Sequence, residues 1–154
     1  MRQLLMLGGI GLICASLLAV TRVWTEPYIE ENRAIARNAI FIEMLGGDVT
    51  AEQLDQMMNC EGTRSALTVT TQGYSGEIEV AAIISRDGIT MRTVRHLETP
   101  GIGDFIDGVW MRALDDRPLS SWQAVDNVTG ATITTRAIRR LATQAQQQAL
   151  EQCP

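Results

Sequence analysis

The chain has 154 residues, a formal net charge of −5, a single histidine, three cysteines and no lysine, so that every basic side chain is an arginine. This length holds one domain of ordinary size, and an acidic chain without lysine is a poor partner for nucleic acid. One histidine with no second ligand at a useful spacing supports neither a metal centre nor a Ser-His-Asp arrangement, so no catalytic or metal-ligating residue is assigned.

From Leu4 to Val20 the sequence L-L-M-L-G-G-I-G-L-I-C-A-S-L-L-A-V carries no charge. With Thr21 and the flanking Trp24 it can just cross a hydrocarbon layer of roughly 30 Å, and a single retained transmembrane anchor over residues 1–24 is expected. A cleaved signal peptide is the competing reading. The run is long for such a peptide, no A-x-A site follows it, and Gly11-Leu12-Ile13 before Cys14 is a poor lipoprotein box. Arg2 precedes the span and Arg22, Arg33 and Arg37 follow it, which by a strict count places the C-terminal side in the cytoplasm, but the rule weakens ahead of a folded domain and leaves the side open.

Residues 25–64 are expected to be a helical connector. Tyr28, Ile35, Ile42 and Leu45 recur at helical spacing until Gly46-Gly47 stops the pattern. Thr50 and Gln53 form a capping box ahead of a second, short helix, whose Met57-Met58 pair suits gap-filling in a core. Residues 65–154 are expected to form an α+β domain, a small antiparallel sheet with flanking helices. Ser65 opens a β-prone run broken at Gly73-Tyr74-Ser75-Gly76, and two further runs meet at Asp87-Gly88, a strong hairpin signal. Alternation of Ile89, Met91 and Thr93 against Thr90, Arg92 and Val94 suggests a sheet with one covered face.

The loop His96-Leu97-Glu98-Thr99-Pro100-Gly101-Ile102-Gly103-Asp104 follows. Pro100 sets a turn, and Gly101 and Gly103 permit φ > 0 or close approach of backbone to a ligand, as a planar ring would require. An ordinary β-to-α connection has the same composition. Beyond it, a short helix broken at Gly108 and a last strand over W-Q-A-V-D are expected, and then a surface helix with Ile138, Leu141, Ala142, Ala145 and Ala149 on its contact face. Arg136, Arg139 and Arg140 near the start of that helix oppose its dipole, and either answer a nearby phosphate or form a solvated face. Cys60 and Cys153 pair if the domain is exported, or remain thiols.

Asp126 to Thr132 read D-N-V-T-G-A-T. Gly130 and Ala131 leave backbone N–H groups accessible just ahead of a helix start, which is a phosphate-binding arrangement. The run resembles the flavinylation motif D-x-x-[S/T]-G-A-[S/T], in which a flavin transferase takes FMN from FAD and links its phosphate to the last hydroxyl residue, here Thr132. Thr134 and Thr135 are expected to contribute no more than helix capping, about 1 kcal/mol.

G-Y-S-G-E-I, H-L-E-T-P-G-I-G-D and D-N-V-T-G-A-T-I-T, in that order behind one transmembrane helix, resemble the G subunit of the Rnf-type ion-translocating electron transport complex. The FMN-binding domain is shared with the C subunit of the sodium-pumping NADH:quinone oxidoreductase, and His96 before the E-T-P-G block leans towards the Rnf branch. The resemblance implies an FMN held by a phosphoester on Thr132, with Thr129, Gly130 and Ala131 around the phosphate and His96, Glu98, Thr99 and Gly101 at the ring-binding loop. It also implies recognition of Asp126 by the transferase, partnership with other membrane subunits, and a domain on the outer side of a bacterial inner membrane, against the arginine count. The implied role is electron relay within a translocase, with no independent turnover. The chain departs from the pattern in its short stretches between Cys60 and Gly73 and between Asp104 and Trp122, and in S-S-W-Q-A-V where a glycine-rich acidic segment is usual. Two rival readings are a non-catalytic assembly subunit, whose T-G-A-T is only a helix cap, and an FMN domain serving another flavin-linked reductase such as a quinone reductase.

Overall fold

The computed structural model describes residues 2–153. Two compact units divide the chain, Met1–Ala36 and Arg37–Pro154, and helix α1, Arg2–Met44, contributes to both. In the first unit α1 is the one helix among the described residues long and apolar enough to cross a membrane, and its apolar stretch is exposed. Exposure of Leu7, Leu12, Leu17, Leu18 and Trp24 along one apolar helix is the arrangement a lipid layer satisfies. Pro27 lies inside the helix and withholds one backbone donor from it.

The second unit is built on a three-stranded antiparallel sheet in the order β1-β2-β3, with β1 at Ser65–Gln72, β2 at Glu77–Ile84 and β3 at Ile89–Arg95. Gly73 N–H donates to Gly76 O (2.7 Å) and closes the first hairpin, and Ser85 N–H donates to Gly88 O (2.9 Å) at the expected Asp-Gly turn. Val80 pairs with Thr93 and Ile84 with Ile89, and the register slips once, between Glu79 and Val80.

Both faces of the sheet are covered, where one was expected. On one face Val69, Ile78, Val80, Ala82, Ile89 and Met91 pack with Ile138, Leu141, Ala142 and Ala145 of the long helix α5, Thr132–Gln152. The alanines bring that helix close to the strands, and all five residues assigned to its contact face are buried. On the other face Ala66, Ala81 and Ile83 meet Phe41, from the last turns of α1, and Leu54 of α2, Ala51–Met58. Tyr28 and Ile35, grouped with Ile42 and Leu45 by spacing, are exposed, while Phe41 is the one α1 residue that is fully buried among the described side chains. Met57 packs on this second cluster and Met58 does not. The Thr50–Gln53 capping box is formed, and α1 ends at Gly46-Gly47 as expected.

A 3-10 helix at Asp104–Asp107 and helix α3 at Val109–Arg112 are separated by Gly108. The expected last strand is instead helix α4, Leu119–Ala124. Pro118 supplies a fixed φ of −63° at its N-cap, and the helix turns Trp122 into the core, where the indole N–H donates to Ile89 O at 3.1 Å. Arg92 forks onto both oxygens of Asp115 (2.7 and 2.5 Å), tying β3 to the segment after α3. That hydrogen bonding, with the carboxylate's charge, raises the guanidinium pKa although partial burial opposes it.

Cys60 and Cys153 form a disulfide across a sequence separation of 93, so the end of α2 is stapled to the end of α5. A loop of that size is stabilised by about 2–5 kcal/mol through restriction of the unfolded chain. Cys60→Ser with Cys153→Ser should therefore lower the urea midpoint of the full chain in detergent by an amount in that range, and an unchanged midpoint would show that the staple contributes nothing.

Candidate functional site

The strand register brings the site together. Gln72 pairs with Glu77 and Glu79 with Arg95, so the turn after β1 and the loop after β3 leave the sheet at the same end. At that end, Arg140 of α5 donates to Gln72 O (3.0 Å). These three segments enclose a cavity of about 320 Å3, lined by Tyr74 from the turn, by Glu98, Thr99, Ile102 and Gly103 from the loop, and by Gly130 to Thr134.

Glu98 joins the three walls. It is only 5% exposed, and its Oε1 accepts the N–H groups of Tyr74 (2.7 Å) and Ser75 (3.4 Å), while Oε2 accepts the hydroxyl of Thr134 (2.7 Å). A buried carboxylate is tolerated only when its lone pairs are met, and here neutral donors from two other segments meet them. The fit is tight. A Cβ at Gly73 would lie 2.1 Å from Oε1 of Glu98, and one at Gly103 would lie 2.6 Å from its Cβ. Ser75 and Thr99 add a hydroxyl pair at 3.1 Å.

At the third wall Gly130 has φ +84°, and Thr132 is the first residue of α5. The N-cap position is Ala131, so no side chain caps the helix, and Thr135 N–H to Ala131 O (2.9 Å) closes the first turn. The first-turn N–H groups, at Thr132, Ile133 and Thr134, lack intrahelical acceptors and belong to residues lining the cavity. Free donors at a helix start beside a cavity suit a phosphate, and the exposed apolar parts of Tyr74, Ile102 and Ile133 suit a planar ring. The residues present therefore fit an FMN.

Among the residues assigned from sequence, Glu98, Thr99, Gly130, Ala131 and Thr132 line the cavity. Thr129 is exposed beside it, and Asp126 is exposed further back along the segment. Gly101 is outside the lining, and what it supplies is a left-handed conformation (φ +77°) with open space around it. His96 is also outside the lining and bonds Asp107 and the backbone of Glu98. Gly103, whose small size the sequence offered for close approach to a ligand, also lines the cavity, and so do Tyr74, Ile102, Ile133 and Thr134, which the sequence did not mark as site residues. The signal for Tyr74 and Ile102 was present in the sequence, as apolar side chains set inside glycine-rich turns.

Two further expectations change, one for the threonines and one for the arginines. Thr134 is a buried hydrogen-bond donor to Glu98, and Thr135, also buried, donates to Ala131 O (3.0 Å) and accepts from Val128 N–H (3.2 Å). Both therefore do more than cap a helix. Arg139 donates to the backbone carbonyl of Val125 and to the side-chain oxygen Oδ1 of Asn127 (3.1 Å), which holds the two residues flanking Asp126, and Arg140 is taken up by Gln72 O.

Residues 73–147 match the FMN-binding domain family. The chain is similar to proteins named as the G subunits of ion-translocating oxidoreductase complexes. One, from Pseudomonas aeruginosa, is 27% identical over 91% of this chain and 84% of its own length. The Vibrio atlanticus protein is 30% identical over 87% of this chain and 83% of its own, and that of Shewanella piezotolerans is 26% identical over 86% and 81%.

Replacing Thr134 by Val keeps the shape and removes the donor, leaving Oε2 of buried Glu98 without its partner. The expected cost is about 1–3 kcal/mol in urea unfolding, larger than a lost cap, with Thr134→Ser retaining most of the stability because the hydroxyl remains. Equal stability of the wild type and the Val variant would contradict the bond's importance.

Proposed function

This chain belongs to the family of G subunits of ion-translocating oxidoreductase complexes, and we infer that it is the flavoprotein subunit of an Rnf-type complex, relaying electrons through an FMN attached to Thr132. In this reading residues 1–24 are the membrane anchor, 25–64 a connector and 65–154 the cofactor domain. The observation that carries it is the cavity over an uncapped helix start, with Thr132 on its wall.

Bound there, FMN supplies the capacity to accept and release one or two electrons. The chain's own residues hold it. The hydroxyl of Thr132 would hold it through a phosphoester, which a flavin transferase would form from FAD with release of AMP. Gly130 and Ala131 give the phosphate access to the first-turn N–H groups of α5, where the helix dipole also favours negative charge. Tyr74, Ile102 and Ile133 offer apolar surface to the ring, and Glu98 with Thr99 fixes the wall beside it. Asp126, exposed between two residues braced by Arg139, is presented for recognition by the transferase.

The disulfide between Cys60 and Cys153 supports a domain on the outer, oxidising side of the bacterial inner membrane. A covalent tether suits that side, since a flavin lost there is not readily replaced. The partners in this reading are other membrane subunits of such a complex, which the relatives' description as complex subunits supports.

The Thr132 hydroxyl is the attachment point that separates this reading from an assembly subunit with an ordinary helix cap. Thr132→Ala should abolish flavin fluorescence that survives denaturing electrophoresis, since alanine has no oxygen to esterify. Thr132→Ser should retain part of it, and Thr135→Ala should retain it. Persistent fluorescence in the Ala variant would remove Thr132 as the attachment site.

A further inference from the structure

His96 is the only histidine in the chain and stands behind the cavity wall rather than on it. Its ring is 16% exposed and is engaged at both nitrogens. The backbone N–H of Glu98 approaches Nδ1 at 3.0 Å, and Asp107 Oδ2 lies 2.7 Å from Nε2. A backbone N–H can only donate, so Nδ1 must be the unprotonated acceptor, and Nε2 must carry the hydrogen it donates to Asp107. One tautomer of the neutral ring satisfies both neighbours.

The two bonds connect the 3-10 helix to the loop after β3. Asp107 ends the 3-10 helix, and Glu98 is the residue whose carboxylate joins the turn after β1 to α5. Fixing the Glu98 backbone at its nitrogen sets where that carboxylate falls against Tyr74, Ser75 and Thr134. The next residue, Thr99, accepts at its carbonyl from Ile102 N–H (3.1 Å) and Gly103 N–H (2.9 Å), and both of those line the cavity.

We propose that His96 is a positioning residue for the flavin: its Nδ1 holds the Glu98 N–H while its Nε2–H anchors the ring to Asp107, and the cavity wall takes its shape from that pair of bonds. The proposal rests on the reading of the cavity as the FMN site. The imidazole is not itself part of the lining, and it acts through Glu98, which is.

Two variants separate the nitrogens. His96→Asn places an amide oxygen near the position of Nδ1 and can still accept from Glu98, whereas His96→Gln reaches towards Asp107 and leaves the Glu98 N–H without its acceptor. The full chain in detergent, prepared without flavin, is read first by amide hydrogen exchange at Glu98. His96→Gln should speed that exchange by roughly 2- to 10-fold, the loss of one net hydrogen bond, and His96→Asn should leave it near wild type. The same proteins made beside a flavin transferase are then read by the absorption spectrum and midpoint potential of the bound flavin, which a purely structural role far from the ring would not move. The Gln variant should shift both and the Asn variant should restore them. Identical exchange and identical potentials in wild type and His96→Gln would overturn the proposal, and so would equal shifts in both variants. A wild type that acquires no flavin would instead defeat the reading of the cavity, with the exchange measurement still deciding the bond.

Discussion

The buried carboxylate of Glu98 is the contact on which the site depends. A charge taken out of water must be met by donors, and this one is met by the backbone of a hairpin turn and by a hydroxyl on the first turn of α5. Those donors lie in segments far apart in sequence. Satisfying one side chain therefore brings together the turn, the loop and the helix start, and the space left between them is the cavity. Bulk at Gly73 or Gly103 would displace the carboxylate, which explains why glycine stands on both sides of it.

Placing the anion at this end of α5 also has an electrostatic logic. Helix starts favour negative charge, and the absence of a capping side chain leaves donors for a second anion close to the first. A phosphate attached at Thr132 would take that place. The other end of the same helix is held by the disulfide to Cys60, so α5 is constrained at both termini while its alanine face packs on the sheet.

Much of this could be read along the chain. Strand alternation, the glycine breaks, the capping box and the small-residue face of the last helix are local patterns with local causes, and they appear where expected. What the pattern hid was non-local. The second covered face of the sheet depends on Phe41 and Leu54, which lie before the first strand, and no periodicity within the strands announces them. W-Q-A-V-D looked β-prone because of its aromatic and branched residues, but the core required a helix there to bury Trp122 against Ile89. His96 adjoins the E-T-P-G block in sequence, and only the fold shows its ring bonded to both Asp107 and the Glu98 backbone. The role of Glu98 as a junction needed three distant donors to be seen at once.

A flavin esterified to Thr132 at the start of α5 is the central proposal. Intact mass analysis followed by peptide mapping of the full chain, expressed beside a flavin transferase, tests this most directly. The expected result is the mass of one FMN added to the protein and located at Thr132. An unmodified protein, or FMN mapped to Thr129, Thr134 or Thr135 instead, would contradict it.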